Sequence, residues 1–416
     1  MRKDVLRARI LDSLSSDEVL AELHARGSDK SAVDMILSRG LGRALLVGPL
    51  QLDQAQSVRQ TAKDAGALAL LAKTAGRADP SRADVIIMGS AAQLAAIADR
   101  FGGEVGARIE AAVQACAVPV ERTLRARGRE IALGERTLIM GIINVTPDSF
   151  SGDGLGTDVD RAVAQAQQML ADGADILDVG GESTRPGSEP VPEEEEIRRV
   201  LPFIERLSAE SDAILSIDSY KSAVVTAALQ AGAHLVNDIS GLYHDSNMAR
   251  IVAEAGAAVC IMHIQGSPRD MQKEPKYADV IGEISDYLEE GIATAADAGL
   301  GREQLILDPG IGFGKTLEHN REILRRLREF RSLGCPLLVG TSRKSMIGAI
   351  LDLPADQRVE GTAATVALAI AGGADIVRVH DVKEMSRVAK VADAIVRVKH
   401  ELQESEHAWG DRQKRG

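Results

Sequence analysis

Polar and charged side chains recur at the ends of eight short apolar runs in the second half of the chain. They are Asn144; Glu182, Ser183, Thr184 and Arg185; Asp218; Asn237 and Asp238; His263 and Gln265; Asp308; Ser342, Arg343 and Lys344; and Arg378, His380 and Asp381. One polar residue at a strand end is usually a satisfied turn or helix cap. Eight strand ends that all carry such groups indicate a shared ligand at one end of a barrel.

These groups differ in the chemistry that they offer. Asp218, Asn237 and Asp308 suit the donor-rich edge of a nitrogen heterocycle, because a carboxylate accepts two N–H bonds in a fork. The cationic groups, which suit phosphate or carboxylate, are Arg185, Lys344, Arg378 and His380. The sequence therefore predicts a polar heterocycle at an acidic end of the site and a phosphate-bearing group at a cationic end. Two plainer interpretations stay open. Asp218 and Asp308 could be helix N-caps, and Arg378 and Lys344 could form salt bridges to those aspartates.

The loops around these groups favour binding and positioning over nucleophilic catalysis. The segment 342–345 (SRKS) is predicted to open a helix, whose free N–H groups add an anion site. The glycine-rich stretches 309–314 and 152–156 permit close backbone approach or loop movement. No Ser–His–Asp order, HExxH or CxxC is present. Cys260 is expected in the core, and His263 is either a general acid or base or a packed rim residue. The pattern fits displacement of a phosphate leaving group by positioning and charge neutralisation.

The elements that would position these groups alternate between strands and helices. The apolar runs are 138–144, 175–179, 213–218, 234–238, 258–263, 305–308, 336–339 and 375–379. Helical patterns separate them, at 159–171, 193–207, 222–231, 248–255, 281–298, 320–330, 362–371 and 382–399. This alternation predicts a parallel sheet. Eight units over about 260 residues match a (β/α)₈ TIM barrel, which typically has about 250.

The remaining segments are predicted to lie outside this barrel. Residues 1–125 are expected to form a small α/β domain, because apolar runs at 44–47, 67–71 and 85–88 alternate with helical patterns and Ser15–Glu18 is a capping box. We assign this domain no function. The barrel is expected to span 126–400, with 122–136 as a linker that forms a small hairpin at its bottom. The polar tail 401–416 is expected to be disordered.

Composition excludes several classes of function. The net charge of −12 and an aromatic content of 2% argue against nucleic acid and anionic membranes. No apolar run approaches the roughly 20 residues of a membrane span, and the N-terminus lacks the apolar core of a signal peptide. Cys116, Cys260 and Cys335 form no disulfide or zinc pattern and fit a reducing compartment. A cytoplasmic protein with small-molecule substrates is expected.

Eight motifs together resemble one family closely, dihydropteroate synthase of the folate pathway. In chain order they are GIINVTPDSFS, GGESTRPGS, SIDSYK, VNDISG, MHIQGSP, LDPGIGFGK, GTSRKS and RVHDV, between residues 138 and 395. The resemblance implies a TIM barrel that is usually a homodimer. It also implies a reaction in which 4-aminobenzoate is joined to (7,8-dihydropterin-6-yl)methyl diphosphate, diphosphate is released and Mg²⁺ assists.

The resemblance also implies roles for individual residues. Asn144 resembles the ligand that holds Mg²⁺ on the diphosphate. The pterin-diphosphate binders would be Thr184, Asp218, Asn237, Met262, Asp308, Lys344, Arg378 and His380. The 4-aminobenzoate site would comprise Phe150, Arg185, Pro186, Phe313 and Ser345. Within these sets Asp308, Lys344, Arg378 and His380 would be catalytic, Met262 would pack on the ring, and Arg378 and His380 would clamp the diphosphate. The implied mechanism is dissociative, and the C–O bond to diphosphate breaks first.

Two departures and two alternatives accompany this resemblance. Residues 151–154 read SGDG where many members read SDGG, so the role of Asp153 is open. Residues 1–125 fall outside the family's core and resemble neither the pterin pyrophosphokinase nor the aldolase often fused to folate enzymes. A corrinoid-linked pterin-binding methyltransferase is one alternative, against which SRKS and RVHDV discriminate. A non-catalytic pterin-binding barrel is the other, although no expected site position is replaced.

Overall fold

The structure, a computed structural model, describes residues 42–72, 81–115, 122–145, 155–183 and 188–397. It divides into two compact units, whose described parts lie within residues 42–110 and 111–397. Several predictions concern residues outside the described ranges: the capping box at 15–18, Cys116, Phe150, Asp153, Thr184, Arg185, Pro186 and the tail 401–416. The boundaries proposed for the domains stay predictions.

The smaller unit is built on three antiparallel strands, β1 (Arg43–Gln51), β2 (Leu68–Ala72) and β3 (Arg82–Gly89). Strand β3 lies between β1 and β2 in the sheet. Helices α1 (Leu52–Asp64) and α2 (Ala91–Phe101) bury apolar side chains, and α3 (Gly103–Ala115) follows. Helix α2 begins at a capping box, in which the Ser90 hydroxyl accepts from the Gln93 N–H and the Gln93 side chain accepts from the Ser90 N–H. The predicted small α/β region is confirmed.

The larger unit contains an antiparallel hairpin and a ring of parallel strands. The hairpin pairs β4 (Arg122–Ala126) with β5 (Arg129–Leu133). The parallel strands are β6 (Leu138–Asn144), β7 (Ile176–Gly180), β8 (Ile214–Asp218), β9 (Leu235–Asp238), β10 (Ala258–Met262), β11 (Leu305–Asp308), β12 (Leu338–Val339) and β13 (Ile376–Val379). Their order is β11–β10–β9–β8–β7–β6–β13–β12, and a parallel bridge from Leu307 to Leu337 joins its two ends. The predicted (β/α)₈ barrel is therefore confirmed.

Helices cover the outside of the ring. They are α4 (Leu155–Ala171), α5 (Glu193–Glu210), α6 (Ser222–Ala231), α7 (Met248–Ala255), α8 (Val280–Asp297), α9 (Leu317–Arg325), α10 (Ser345–Leu351), α11 (Val359–Ala371) and α12 (Val382–Val396). The helix predicted over 320–330 is instead α9 followed by a 3₁₀ segment, Leu327–Leu333. The predicted helix after SRKS is α10. In the described ranges, no helix is both long and apolar enough to cross a bilayer.

The interior of the barrel changes from apolar at its N-terminal end to polar at its C-terminal end. Side chains alternate along each strand between the interior and the helix layer. The apolar interior cluster takes Leu138, Met140, Ile176, Leu235, Ala258, Cys260, Ile306, Leu338 and Ile376 from the strands and Leu124, Ala126 and Leu133 from the hairpin. The predicted hairpin at the barrel bottom is thus confirmed, as is a core position for Cys260. Polar inward-facing residues lie beyond this apolar plug.

Candidate active site

Three polar residues and one glycine, at the ends of four neighbouring strands, lie close to one level of the barrel. Asn144 pairs in register with Gly180, Gly180 with Asp218, and Asp218 with Asn237. Because neighbouring parallel strands are about 4.8 Å apart, this register brings the three side chains to one end of the barrel. On the other side Met262 pairs with Asp308.

One cavity of about 570 Å³ opens at this end of the barrel. Its wall includes ten of the predicted site residues: Asn144, Asp218, Asn237, Met262, Asp308, Phe313, Lys344, Ser345, Arg378 and His380. The other four, Phe150, Thr184, Arg185 and Pro186, lie outside the described residues. The sequence prediction of a shared pocket therefore agrees with the placement of every site residue that the structure describes.

Arg378 lies between two carboxylates. Its Nε donates to Oδ2 of Asp178 over 2.6 Å, and its Nη2 donates to Oδ2 of Asp218 over 2.5 Å. Burial lowers the pKa of Arg378, but attraction to Asp178 and Asp218 outweighs that effect and the net pKa is raised. The salt-bridge interpretation is therefore correct for Arg378 and Asp218. The predicted separation into an acidic and a cationic end is wrong here, because buried carboxylates require a counterion nearby.

Asp218 presents an unused acceptor. Its Oδ1 is buried and has no hydrogen-bond partner among the described residues. Burial, together with the charge of Asp178, raises the pKa of Asp218 to about 7 against the opposing effect of Arg378. A buried acceptor without a donor costs free energy, so this oxygen is suited to an N–H group of a ligand.

Asp308 and Lys344 form the opposite wall. Oδ1 of Asp308 accepts from the Gly310 N–H over 2.7 Å, and burial raises the pKa of Asp308 against the opposing charge of Lys344. Burial also lowers the pKa of Lys344 to about 8. The Lys344 ammonium donates to the Ile311 carbonyl and lies 4.6 Å from the centroid of the Phe313 ring. The pair brings one carboxylate and one cation to this side of the cavity.

The N-cap interpretation of the two aspartates is wrong. The helix after β8 begins beyond an N-cap at Lys221, and the helix after β11 begins beyond an N-cap at Thr316. Asp218 and Asp308 end their strands several residues earlier, with their side chains at the cavity wall.

The loop that carries Lys344 and Ser345 is held by two arginines. Arg343, at φ 56°, donates from Nε to Asp381 over 3.0 Å, and its Nη2 also contacts that carboxylate. Nη1 of Arg358 donates to the carbonyls of Arg343 and Lys344 over 2.9 and 3.3 Å. In the neighbouring turn, the N–H and Nδ1 of His380 lie 3.1 and 3.0 Å from Oγ of Ser342. These contacts fix the backbone that presents Lys344, Ser345 and His380.

Three features of the site were missed by sequence reasoning, and the first is Asp178. It is fully buried inside β7, and its Oδ2 also accepts from Nδ2 of Asn237 over 2.9 Å. The prediction considered only residues at strand ends. A charged residue at an inward-facing position of an otherwise apolar strand is the signal that could have revealed it.

The second is an ionic cluster beside the cavity. The Lys221 ammonium donates to Glu182 over 2.5 Å, to Glu196 over 2.6 Å and to the Val191 carbonyl over 2.5 Å. Glu182 also accepts from the Val191 N–H and from the Tyr220 hydroxyl. Burial lowers the pKa of Lys221, but the two glutamates raise it overall. The cluster joins the end of β7 to the segment that enters α5.

The third is the buried contact of Lys315 with His263. The Lys315 ammonium nitrogen lies 2.8 Å from Nδ1 of His263 and donates to the Phe313 carbonyl over 2.9 Å. Burial, reinforced by Lys315, lowers the pKa of His263 to about 2, and burial likewise lowers the pKa of Lys315. His263 is therefore a neutral, packed residue. Lys315 joins the residue directly after strand β10 to the loop that carries Phe313.

The chain is similar to known pterin-binding enzymes over the region that forms this site. The family model for pterin binding enzymes matches residues 140–380. Dihydropteroate synthase of Clostridium beijerinckii is 50% identical over 270 residues, which are 65% of this chain and 98% of that protein. A crystal structure of the Clostridium difficile dihydropteroate synthase in the presence of pteroic acid is 48% identical, with a TM-score of 0.61 over 64% of this chain and 99% of that one.

A second solved structure is similar over the same region. The Xanthomonas albilineans dihydropteroate synthase with 4-aminobenzoic acid is 42% identical, with a TM-score of 0.62 over 66% of this chain and 98% of that one. These likenesses cover nearly the whole of each relative, and within this chain they cover the barrel. The chain therefore belongs to the pterin-binding enzymes and, among them, to the dihydropteroate synthase family.

Proposed function

We propose the following reaction for this transferase of folate biosynthesis. It condenses 4-aminobenzoate with (7,8-dihydropterin-6-yl)methyl diphosphate to give 7,8-dihydropteroate and diphosphate. The observation that carries this proposal is that one cavity collects acceptors for a pterin, Asp218, Asn237 and Asp308, together with cations for a diphosphate, Lys344 and Arg378. The family likeness supports the same reaction.

The pterin would lie between the walls that carry Asp218 and Asp308. Oδ1 of Asp218 lacks a donor among the described residues, and Nδ2 of Asn237 is engaged by Asp178, so both side chains have an oxygen left for N–H groups. Met262 is 3% exposed and supplies an apolar contact for the flat ring. A bicyclic ring with a guanidine-like edge fits these acceptors. We assign Thr184 to the same substrate on the family motif alone.

The 4-aminobenzoate site would adjoin this wall. Phe313 provides a ring face and Ser345 lies at the start of helix α10, both at the cavity wall. Phe150, Arg185 and Pro186 are assigned to this site on their motifs, because they lie outside the described residues. The aromatic ring of the substrate would pack on Phe313, with its carboxylate near Ser345 and its amine toward the pterin methylene.

The chemistry would be a dissociative displacement. The bond from the pterin methylene carbon to the diphosphate oxygen breaks, and its electron pair leaves with the diphosphate. The hydrogen bonds to Asp178 and Asp218 use two of the five N–H donors of Arg378, so further donors remain for the leaving group. His380 is assigned beside it. The amine nitrogen then attacks the cationic methylene carbon and loses a proton to water. No residue acts as a covalent nucleophile, so positioning and charge stabilisation supply the catalysis.

Mg²⁺ would be held mainly by the substrate. Asn144 lies at the cavity wall, and a Cβ at Gly180 would come within 3.5 Å of the Asp218 Cβ and 3.8 Å of the Asn144 Oδ1. Gly180 therefore keeps the space beside these side chains open. The described residues contain no cluster of three or more His, Cys, Asp or Glu side chains for a metal. One protein oxygen plus diphosphate oxygens is a usual arrangement for Mg²⁺, which would neutralise charge on the leaving group.

The reaction is tested by following diphosphate release from the full chain. We expect release that requires the pterin diphosphate, 4-aminobenzoate and Mg²⁺ together, and loss of release on chelation that added Mg²⁺ reverses. Asn144→Ala should raise the Mg²⁺ concentration needed, whereas Arg250→Ala, at an exposed pair with Glu254, should not. Tight pterin binding without release would favour the non-catalytic barrel.

A homodimer is proposed on the surface of three consecutive helices. Helices α10, α11 and α12 expose Ile350, Leu351, Leu368, Val391 and Ile395, each at more than 40% of its full area. Exposed apolar patches of this kind mark association sites. Sedimentation should give a dimer that Leu368→Glu with Ile395→Glu converts to monomer. Leu46→Glu, an exposed site in the smaller unit, serves as the control. A monomeric parent chain would refute the dimer.

We also propose a cytoplasmic location. A substrate that carries a diphosphate does not cross membranes unaided, so the enzyme must work where the substrate is made. Cys260 and Cys335 are free, buried thiols, in agreement with a reducing compartment. Cell fractionation tests the location, and recovery in an extracytoplasmic fraction would contradict it.

A further inference from the structure

Four polar side chains at the C-terminal end of the barrel form one continuous chain of hydrogen bonds. Asn237 donates to Asp178, Asp178 also accepts from Arg378, and Arg378 donates to Asp218, over 2.9, 2.6 and 2.5 Å. Asn237, Arg378 and Asp218 line the cavity. Asp178 is 0% exposed and lies behind them. Of the four residues, Asp178 is the one that lies behind the cavity wall and accepts hydrogen bonds from two residues of that wall, Asn237 and Arg378.

The chemistry of Asp178 decides how Asn237 is oriented. A carboxylate ion-paired to a guanidinium only accepts hydrogen bonds. The carboxamide of Asn237 must therefore turn its NH₂ group toward Asp178, which leaves its Oδ1 as the remaining polar atom. The two orientations of a carboxamide have almost the same shape, so packing alone would not select between them.

We propose that Asp178 is a positioning residue for pterin recognition. It fixes Asn237 with the carbonyl oxygen toward the ligand and holds Arg378 against Asp218, so that the cavity presents acceptors to the N–H-bearing edge of the pterin. The inference rests on the proposed function, because it assigns Asn237 to that substrate. Asp178 touches no substrate itself and acts through Asn237 and Arg378.

The neighbouring strand offers a matched control. Ser216 pairs in register with Asp178, is equally buried, and its hydroxyl has no hydrogen-bond partner among the described residues. Ser216 thus lies at the same depth in the barrel as Asp178, but its hydroxyl makes no hydrogen bond to a described cavity residue. Ser216→Ala tests for a general effect of altering this layer.

The experiment removes the shared acceptor and then restores it without its charge. Nε of Arg378 and Nδ2 of Asn237 donate to the same oxygen of Asp178, Oδ2. Asp178→Leu has nearly the same shape but lacks that oxygen, so the Asn237 carboxamide can flip and present NH₂ to the pterin. In Asp178→Asn, the carboxamide oxygen can take the place of Oδ2 and accept both hydrogen bonds, while its NH₂ group replaces Oδ1, which has no partner among the described residues. Calorimetry with the pterin diphosphate and Mg²⁺, and steady-state kinetics for both substrates, are the measurements.

The expected pattern separates recognition from a general structural effect. Asp178→Leu should weaken pterin-diphosphate binding about tenfold to a hundredfold, the usual consequence of a mispaired polar group. The KM for 4-aminobenzoate should change less than about threefold, within the scatter of such comparisons. Asp178→Asn, which restores the acceptor, should bind the pterin diphosphate more tightly than Asp178→Leu does, and Ser216→Ala should match the parent chain.

Several results would overturn the inference. One is pterin affinity that Asp178→Leu leaves unchanged, and another is equal damage from Ser216→Ala. A third is an Asp178→Asn variant that binds the pterin no more tightly than Asp178→Leu does. If Asp178→Leu does not fold, Asp178→Ala, which also lacks the acceptor, takes its place in the comparison. The parent chain is assayed first: an inactive parent refutes the proposed function, whereas an active parent with an unaffected Asp178→Leu refutes only this inference.

Discussion

Nη2 of Arg378 donates to Oδ2 of Asp218 over 2.5 Å, which places the cation assigned to the diphosphate against the carboxylate assigned to the pterin. Asp178 contacts the same guanidinium from the other side. The two halves of the proposed site are therefore linked electrostatically. Removing the charge of Asp218 should weaken its hold on the Arg378 guanidinium. Substituting Arg378 should raise the pKa of Asp218 further, because the charge of Arg378 lowers it.

Pterin binding should depend on pH through Asp218. Because the pKa of this carboxyl is about 7 in the free protein, kcat/KM for the pterin diphosphate should rise between about pH 6 and 8, with its midpoint near pH 7, and level off above that. Asp218→Asn, which replaces one acceptor partly by a donor, should weaken pterin binding and remove this rise. Calorimetry checks the weaker pterin binding, and pH profiles of kcat/KM check the loss of the rise. Equal affinity of the variant would refute the assignment, and a rise that persists in it would belong to another group.

The same group should influence stability in the opposite direction. Its folded pKa lies above the ordinary value of 3.8, so the folded chain binds more protons between about pH 4 and 7. The contribution of Asp218 to the free energy of unfolding should therefore fall as pH rises through that window and be constant above it. Denaturant titrations of the parent and Asp218→Asn should show the variant gaining relative stability from pH 5 to 7. A constant difference would contradict the raised pKa.

Arg378→Ala should lower turnover far more than affinity for 4-aminobenzoate. Loss of a donor to a developing anion typically lowers kcat by roughly a hundredfold or more. It also leaves Asp178 and Asp218 without their counterion, which should lower the free energy of unfolding by about 3–5 kcal/mol. Kinetics at a temperature where the variant is folded, with thermal unfolding beside it, separate the two. Arg326→Ala at a partly exposed pair with Glu322 is the control. An unchanged rate would remove Arg378 from the clamp.

Lys315→Met should loosen the loop that presents Phe313. The variant keeps the aliphatic stem but leaves the Phe313 carbonyl and Nδ1 of His263 without their donor, at a cost of about 1–3 kcal/mol for each buried group. We expect the KM for 4-aminobenzoate to rise more than that for the pterin diphosphate. Lys276→Met, at an exposed side chain, should change neither. Equal changes in the two KM values would indicate that Lys315 serves stability alone.

The hairpin residue Leu124 should matter for stability and little for catalysis. It is fully buried in the apolar plug, and truncation of such a side chain to alanine costs about 2–5 kcal/mol. Leu124→Ala should lower the unfolding midpoint in urea, while both KM values stay close to those of the parent. Leu68→Ala, at an exposed residue of the smaller unit, controls for leucine removal itself. A large change in KM would show that the plug also shapes the cavity.

Much of this arrangement could be predicted from the pattern of residue types. The apolar run 138–144 predicts strand β6 with the bounds that the structure has, because a fully buried parallel strand is apolar on both faces. Polar residues such as Asp218 and Asp308 could be expected at one cavity because parallel strands in a barrel end on the same side. The hairpin of Arg122–Ala126 and Arg129–Leu133 lies within the short polar linker, 122–136, for which a hairpin is predicted.

Only the tertiary structure decided which charges meet. Arg378 lies 200 residues from Asp178 and 160 from Asp218 along the chain, and their contact depends on barrel closure and strand register, which no local pattern encodes. Asp178 lies within a strand rather than at its end, and Lys315 contacts His263, the residue directly after strand β10. Residue types and periodicity determine which elements form and which end of the barrel is polar. Packing decides which side chains meet inside the barrel. Burial makes an unpaired charge costly, so each buried charge is stabilised by a nearby charge of opposite sign.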